Sequence, residues 1–132
     1  MAVKILAGCA ILDGNKLLLL RRKATGWLEL PGGKVDKGEK VEAAAIREIQ
    51  EELCCQIEII RKLGEAGFEE AEDKFHYHWF LAKLLPNEVP QLGEPENFSG
   101  FEWVAIKDLD GQKLSFNMEN FYTMFKEKKI FF

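Results

Sequence analysis

One amphipathic helical segment, placed between strand-like segments, most constrains how this chain can fold. From Glu39 to Leu53, apolar side chains recur every fourth position among residues that favour helices: Val41, Ala45, Ile49 and Leu53. Side chains at that spacing form a stripe along one face of a helix. Because strand-like segments precede and follow it, the stripe is expected to pack against a sheet.

The strand-like segments are short and separated by turn signals. Residues 3–12 and 16–22 predict a hairpin around Asp13-Gly14-Asn15. Further strands are predicted at residues 27–30, 57–63, 74–85 and 101–105, with a loop at 86–100 and a closing helix at 117–128. In the segment 74–85, alternation puts Phe75, Tyr77, Trp79 and Leu81 on one face and His76, His78 and Phe80 on the other. The whole predicts one α/β (α+β) domain over residues 1–132, with a mixed sheet between helices.

Composition excludes several classes of protein. No apolar run approaches the roughly 20 residues of a membrane helix, and the N-terminus has no signal-peptide pattern. The net charge of −4 argues against a nucleic-acid-binding surface. Three cysteines, with Cys54 and Cys55 adjacent, do not suggest a disulfide framework, and His76 and His78 lie far from any cysteine, which makes a zinc site improbable. A soluble cytoplasmic protein with reduced thiols is expected.

Three acidic residues of the helical segment are the main candidates for chemistry. Glu48, Glu51 and Glu52 stand at i, i+3 and i+4, so their carboxylates converge on one patch, about a quarter turn from the apolar stripe. Each like-charge pair at that spacing costs about a few tenths of a kcal/mol in water, and more where solvation is poor. A hard divalent cation with oxygen ligands, such as Mg²⁺, would reverse the sign of that energy. A solvated acidic face is the alternative interpretation.

Two neighbouring features favour the metal. The preceding Pro31-Gly32-Gly33 loop has a backbone flexible enough to bring carbonyl oxygens close to a cation. Arg47, beside Glu48, can hold a carboxylate in one orientation through a two-pronged hydrogen bond.

The stretch from Gly33 to Cys55 resembles the Nudix box, G-x5-E-x7-R-E-U-x-E-E-x-G-U, where U is a bulky aliphatic residue. Gly33, Glu39, Arg47-Glu48, Ile49 and Glu51-Glu52 occupy its positions in order. The match fails at the end, where Cys54 replaces glycine and Cys55 replaces the aliphatic residue. If that position is a left-handed helix cap, cysteine costs about 1–2 kcal/mol there.

The resemblance extends to most of the chain. Residues 29–33, the hairpin before them and Phe101-Glu102-Trp103 are similar to the MutT-like nucleoside triphosphate pyrophosphohydrolases. This likeness implies a Nudix-like α-β-α sandwich, and a Mg²⁺-dependent (alternatively Mn²⁺-dependent) attack of water on a nucleoside diphosphate linked to another group. The implied partner is a small nucleotide, with no nucleic acid and no membrane.

The resemblance also implies roles for individual residues. Glu48 and Glu52, with Glu51 as a third, are the expected metal ligands, joined by a carbonyl of Gly32 or Gly33. Arg47 is expected to orient Glu48, and Glu39 to serve as a supporting residue or as the base. Further candidates are Glu96 or Glu102 as an extra acidic ligand, Arg21 or Arg22 for substrate phosphate, and Asn117 or Asn120 for a base edge. For Asn117 the alternative is an N-cap of the closing helix.

Several substrate classes stay open. We expect a nucleoside triphosphate, oxidised ones included, to be cleaved to monophosphate and pyrophosphate. ADP-ribose hydrolases often carry a proline about sixteen residues past the box, where this chain reads Glu70-Ala71-Glu72, and dinucleoside polyphosphate hydrolases often carry a tyrosine near there, where the nearest is Tyr77. A non-catalytic nucleotide sensor and a diphosphate isomerase are the alternatives from other classes.

Overall fold

The fold is that of a computed structural model, of which residues 3–132 are described. In chain order its elements are β1 (Val3–Asp13), β2 (Lys16–Arg22), β3 (Leu28–Glu29), β4 (Gly32–Lys34), α1 (Val41–Leu53), β5 (Ile57–Glu70), β6 (Asp73–Leu84), β7 (Phe98–Ala105), a short 3₁₀ helix (Ile106–Asp108) and α2 (Phe116–Lys126). Within residues 3–132, no helix has the length and apolar character needed to cross a membrane.

The strands form one mixed sheet, as the sequence predicted. Its order is β3-β2-β1-β6-β5, with β4 paired to β1 and β7 paired to β2. β1 runs parallel to β6, whereas its pairs with β2 and β4 are antiparallel. The parallel pair requires a long connection, which all the elements from β2 to β5, α1 among them, supply.

The predicted hairpin of β1 and β2 forms around Gly14, whose φ of 62° is the left-handed conformation that glycine favours. Its paired register is short, comprising Leu12 with Leu17 and Asp13 with Lys16. The strands then separate because β1 pairs instead with β4, from Leu6 to Gly8. This exchange of partners places Pro31-Gly32-Gly33, called the glycine loop below, on the middle of the sheet. The prediction of a loop there is wrong for Gly32 and Gly33, which belong to β4 because they pair with Gly8 and Ala7 of β1.

The sheet lies between α1 and α2, so the predicted α-β-α sandwich is confirmed. The α1 side is packed with Ala7, Cys9, Ile11, Leu18, Leu20, Ala45, Ile49, Leu53 and Phe80, and the α2 side with Leu17, Leu19, Tyr77, Trp79, Leu81, Met118 and Phe121. In β6, Tyr77, Trp79 and Leu81 lie on the α2 side and Phe80 lies on the α1 side, so the predicted alternation is confirmed for these buried residues. Cys9 and Cys55 are buried free thiols, while Cys54 is an exposed one.

Several predicted boundaries differ from the structure. α1 begins at Val41 and not at Glu39, while β5 continues to Glu70 because it pairs with β6 as far as the turn after Glu70. The alternative interpretation of Asn117, as the N-cap of the closing helix, is wrong. The cap is Ser115, whose backbone is extended and whose hydroxyl accepts a hydrogen bond from the backbone N–H of Met118. Asn117 already lies in the first turn of α2.

Candidate active site

The three glutamates of α1 differ strongly in exposure. Among residues 3–132, Glu52 is the one buried charged residue, at 4% exposure, because it adjoins the apolar stripe of the helix. The side chain of Glu48 is 15% exposed and that of Glu51 is 42% exposed. The patch therefore runs from the protein interior to solvent, and the interpretation as a fully solvated acidic face is wrong for Glu52.

The glycine loop lies directly against this patch. The backbone N–H of Gly32 donates a hydrogen bond of 2.8 Å to Oε1 of Glu52. A Cβ on Gly33 would lie 2.5 Å from Cδ of Glu48 and 2.6 Å from its Oε2. A Cβ on Gly32 would collide with the carbonyl oxygen of Ala7 at 2.4 Å. A side chain at Gly32 would therefore collide with the backbone of β1, whereas one at Gly33 would displace the carboxylate of Glu48.

The electrostatics of the patch oppose negative charge. Burial raises the pKa of Glu52 well above its ordinary value, and the charges of Glu48, Glu29 and Glu94 raise it further against the opposing hydrogen bond from Gly32. Burial also raises the pKa of Glu48, and the neighbouring Arg47 lowers it only in part. Without a compensating cation, these carboxylates are therefore destabilised in the ionised form.

Arg47 binds the acidic residues differently from the prediction. Its two-pronged pair is with Glu39, through Nε to Oε2 at 2.8 Å and Nη2 to Oε1 at 3.1 Å. To Glu48 it makes a single contact of 3.1 Å from Nη1, which also donates to Glu51 at 2.6 Å. Nη2 further donates to the carbonyl oxygen of Lys34 at 3.0 Å. Arg47 thus ties α1 to β4 and to the residues before the helix.

Glu39 is held firmly just before α1. It accepts a hydrogen bond from the backbone N–H of Asp36 at 3.0 Å besides the pair with Arg47. These two partners, Arg47 first, lower the pKa of Glu39. Of the two roles expected for Glu39, this placement favours support of Arg47.

The end of α1 is closed by Cys54, which replaces the glycine of the motif. Cys54 has φ 52° and ψ 36°, so the left-handed cap inferred from the sequence is present. The loop between β6 and β7 packs on the free carbonyl groups at the end of α1. The backbone N–H of Gln91 donates to the carbonyl oxygen of Leu53 at 2.8 Å, and that of Gly93 to the carbonyl oxygen of Glu52 at 2.9 Å. The helix end thereby positions the loop that carries Glu94.

Glu94 is the acidic residue of this loop that the sequence did not single out. Its charge raises the pKa of both Glu48 and Glu52. Of the two residues considered from the sequence, Glu96 lies in the same loop but is exposed, and Glu102 forms an ion pair of 3.1 Å with Arg21. These placements favour Glu94 as the further acidic residue of the site.

The two arginines at the end of β2 have different surroundings because successive side chains of a strand point to opposite faces. Arg21 donates to the carbonyl oxygen of Gly26 at 2.6 Å and pairs with Glu102. Arg22 donates from Nε to Glu29 at 2.6 Å, which raises the pKa of the guanidinium, and the charges of Glu52 and Glu94 act in the same direction. The structure thus brings Arg22, and not Arg21, towards the acidic patch.

A cavity leads away from Arg22 to the start of α2. It is lined by Arg22, Thr25, Trp27, Glu29, Glu70, Ser115, Phe116 and Asn117. It shares Trp27, Glu70 and Phe116 with an adjoining cavity of about 500 Å³, a size common for small-ligand sites. Asn117 thus faces the same space as Arg22, whereas the side-chain amide of Asn120 donates to the carbonyl oxygen of Phe116 within α2 at 2.8 Å.

Comparison with known proteins adds a family to this geometry. Residues 4–125 match the NUDIX domain family. The Bacillus subtilis (strain 168) "Uncharacterized Nudix hydrolase YvcI" is 40% identical over 121 residues, which cover 84% of this chain and 77% of that protein. The "Putative 8-oxo-dGTP diphosphatase" of the same organism is 30% identical over 93 residues, which cover 70% of this chain but 60% of that protein's length.

A solved structure agrees with the fold over nearly the whole chain. The crystal structure of a MutT NUDIX hydrolase from Burkholderia pseudomallei superposes with a TM-score of 0.84 at 31% identity, covering 93% of this chain and 98% of that one. The strands, the two helices and the glycine loop therefore form an architecture already seen in experiment.

Proposed function

This chain belongs to the Nudix hydrolase family, and we propose that it hydrolyses nucleoside triphosphates, oxidised ones included, to a monophosphate and pyrophosphate. The observation that carries the proposal is the pair Glu48 and Glu52, packed against Gly32 and Gly33. Both carboxylates are poorly solvated and lie against the backbone of Gly32 and Gly33. Their ionised forms are therefore unfavourable unless they bind a cation. The name of the 30% identical B. subtilis relative adds support for the substrate class.

The oxygen donors of the patch are of the chemical type that a hard divalent ion prefers. Within residues 3–132, however, no three of these carboxylates have their oxygens within 4.8 Å of one another, so binding would draw the side chains together. Glu48, Glu51, Glu52 and Glu94 offer carboxylate oxygens, and the loop at Gly32 and Gly33 offers backbone carbonyls. Mg²⁺ prefers such oxygen ligands and retains waters and substrate phosphates, and Mn²⁺ accepts the same set. When bound, the ion would neutralise phosphate charge and acidify a water molecule.

The protein's own residues supply orientation. Arg47 holds Glu39, Glu48 and Glu51 on one guanidinium, so three acidic side chains are kept at set positions by one planar group. The N–H of Gly32 restrains Oε1 of Glu52 in the same way. We assign Glu39 to the support of Arg47 and keep Glu48 and Glu52 as the principal ligands. This pre-organisation lowers the reorganisation needed when substrate binds.

The substrate is proposed to enter from the cavity beside Arg22. The guanidinium of Arg22 lies over the ring of Phe98, 4.7 Å from its centroid. The charges of Glu52 and Glu94 act on this guanidinium and raise its pKa. A substrate phosphate could pair with the guanidinium of Arg22, while a cation held by the acidic patch would offset the repulsion between the phosphate and the carboxylates. The cavity lined by Trp27, Phe116 and Asn117 offers an exposed aromatic surface and an amide, which suit a nucleobase.

The experiment is a substrate panel assayed with Mg²⁺ and with EDTA. It contains the common and oxidised nucleoside triphosphates, ADP-ribose, a dinucleoside polyphosphate and a 5′-triphosphorylated RNA, with phosphate, pyrophosphate and nucleotide products separated. We expect monophosphate and pyrophosphate from a triphosphate, only with the metal. The double variant Glu48→Gln and Glu52→Gln should lose turnover, whereas Glu58→Gln, an exposed control on β5, should keep it. Tight nucleotide binding without turnover on any substrate would favour the sensor and overturn the proposal.

A further inference from the structure

A second group of metal-ligating side chains lies on β5 and β6, away from the acidic patch. Glu65, His76 and His78 each place one ligand atom within 4.8 Å of the others. Nε2 of His76 lies 2.9 Å from Oε1 of Glu65, and Nδ1 of His78 lies 3.4 Å from its Oε2. Both imidazoles and the carboxylate are partly exposed, so a solute can reach them.

Strand geometry explains why these three residues meet. His76 and His78 are two positions apart on β6 and therefore project from the same face. Glu65 is the direct partner of His78 on β5, so its side chain emerges beside them on that face. Opposite His76 stands Gly67, which has no side chain to cover the imidazole. The sequence interpretation compared the histidines with cysteines alone and missed a ligand from the neighbouring strand.

The group already holds a positive charge. The ammonium of Lys62 lies 3.0 Å from Nδ1 of His78 and forms an ion pair with Glu65. Lys62 and His76, in that order, lower the pKa of Glu65 to about 2. In this arrangement the lysine ammonium, on its flexible four-carbon stem, contacts two of the three proposed ligand residues, His78 and Glu65.

We propose that Glu65, His76 and His78 form a binding site for a borderline-soft divalent cation of the Zn²⁺ class. Two imidazoles and one carboxylate, with a fourth position left to water, are a ligand set that zinc uses in proteins. The set differs from the all-oxygen patch on α1, which suits Mg²⁺. Binding requires the ammonium of Lys62 to leave His78 and Glu65, so the lysine competes with the metal for these two residues.

The two sites are separate although they share a side of the sheet. Glu65, His78, Ala7 and Gly33 follow one another across the strands β5, β6, β1 and β4. At about 4.8 Å per strand, Glu65 and Gly33 are roughly 14 Å apart along the sheet. The second site therefore does not depend on the proposed hydrolysis, and each can fail without the other.

The test is a Zn²⁺ titration of the full chain against a chromophoric chelator, at a fixed pH near neutrality. With Mg²⁺ in excess to fill the patch on α1, we expect one tightly bound Zn²⁺ in the parent and at least a tenfold weaker affinity in His76→Ala and in His78→Ala. The variant Lys62→Met should bind Zn²⁺ more tightly than the parent, a gain that loss of folding cannot mimic. Equal affinity in the histidine variants, or no tightening in Lys62→Met, overturns the site.

Two controls separate this site from other ligands of the chain. The Glu48→Gln and Glu52→Gln double variant should keep the Zn²⁺ affinity of the parent, because its substitutions lie on α1. Cys54→Ser tests the exposed thiol as a rival ligand. It should also keep the Zn²⁺ affinity of the parent, because Cys54 is not one of the three proposed ligands. A strong loss of Zn²⁺ affinity in either control would assign the ion to the residues substituted in that control and contradict the proposal. Zn²⁺ should also raise the unfolding temperature of the parent more than that of His78→Ala, because it links β5 to β6.

Discussion

The backbone N–H of Gly32 and the carboxylate of Glu52 are joined by a hydrogen bond of 2.8 Å across 20 positions of sequence. This bond ties the glycine loop to the last turn of α1. It opposes the burial of the Glu52 charge, as does the attraction of Arg22, whereas burial and the charges of Glu48, Glu29 and Glu94 act against ionisation. The stability and the activity of the site therefore depend on Glu52 in opposite ways.

Replacing Glu52 by glutamine should separate these two effects. Burial raises the pKa of Glu52 in the folded state, so the folded chain holds this proton more tightly than the unfolded chain. The resulting stabilisation is complete below the ordinary value of 4.5 and is lost as pH rises towards the raised pKa. In EDTA at pH 7, Glu52→Gln should unfold at the same or a higher temperature than the parent, and this advantage should shrink at pH 4.

The same Glu52→Gln substitution should lower the activity of the protein. Loss of a cation ligand removes several kcal/mol of transition-state stabilisation, so turnover of Glu52→Gln with Mg²⁺ should fall by about 10²-fold or more. Glu51→Gln, at the exposed end of the patch, is the matched control and should lose less. Thermal unfolding by circular dichroism and a product assay measure the two effects. A Glu52→Gln variant that melts earlier than the parent in EDTA would contradict the argument.

Gly33→Ala should displace the carboxylate of Glu48. The added Cβ would lie 2.5 Å from Cδ of Glu48, so the flexible end of that side chain must move. A displacement of about 1 Å at a reacting centre can lower turnover by about 10²-fold. Steady-state kinetics should show this loss with little change in the unfolding temperature. Gly100→Ala is the control, because nothing lies within 4 Å of its Cβ position. Equal activity of the two variants would show that contact with Gly33 does not position Glu48.

Arg47→Lys should lower both stability and activity. Lysine cannot reproduce the fork to Glu39 together with the contacts to Glu48 and Glu51. The acidic residues would then repel one another with a single mobile ammonium among them, and we expect turnover to fall by about 10- to 100-fold. The matched control is Arg61→Lys, an exposed arginine on β5 whose partner is a backbone carbonyl near the C-terminus. Comparable losses in both variants would mean that any arginine substitution is harmful.

Cys54→Gly should stabilise the chain. Cys54 holds φ 52°, a conformation that costs a residue with a side chain about 1–2 kcal/mol, whereas glycine adopts it freely. Part of the gain is offset because glycine makes the unfolded chain more flexible, so we expect about 0.5–1 kcal/mol in denaturant unfolding. Cys54→Ala retains a Cβ and should show no such gain. If Cys54→Ala were stabilised as much as Cys54→Gly, the thiol and not the backbone would be responsible.

Local sequence determined much of this protein. The spacing of Val41, Ala45, Ile49 and Leu53 was enough to predict α1 and the face it buries, because helical periodicity depends on neighbouring residues alone. Alternation in β6 predicted which of its side chains face each layer. The order Gly33, Glu39, Arg47-Glu48 and Glu51-Glu52 predicted the family and the acidic patch, and the glycine position of the motif predicted the left-handed backbone of Cys54.

The tertiary structure decided the partners of these residues. The fork of Arg47 goes to Glu39 and not to the adjacent Glu48 because the path of the chain before α1 places Glu39 in line with the guanidinium. Glu94 joins the patch because its loop binds the carbonyls that end α1, and Glu65 meets His76 and His78 through the register of β5 with β6. Such contacts join residues far apart in sequence and depend on how strands pair and loops dock. The periodicity of a sequence cannot predict these contacts, since it indicates which face of an element a residue occupies but not which residue of another element it contacts.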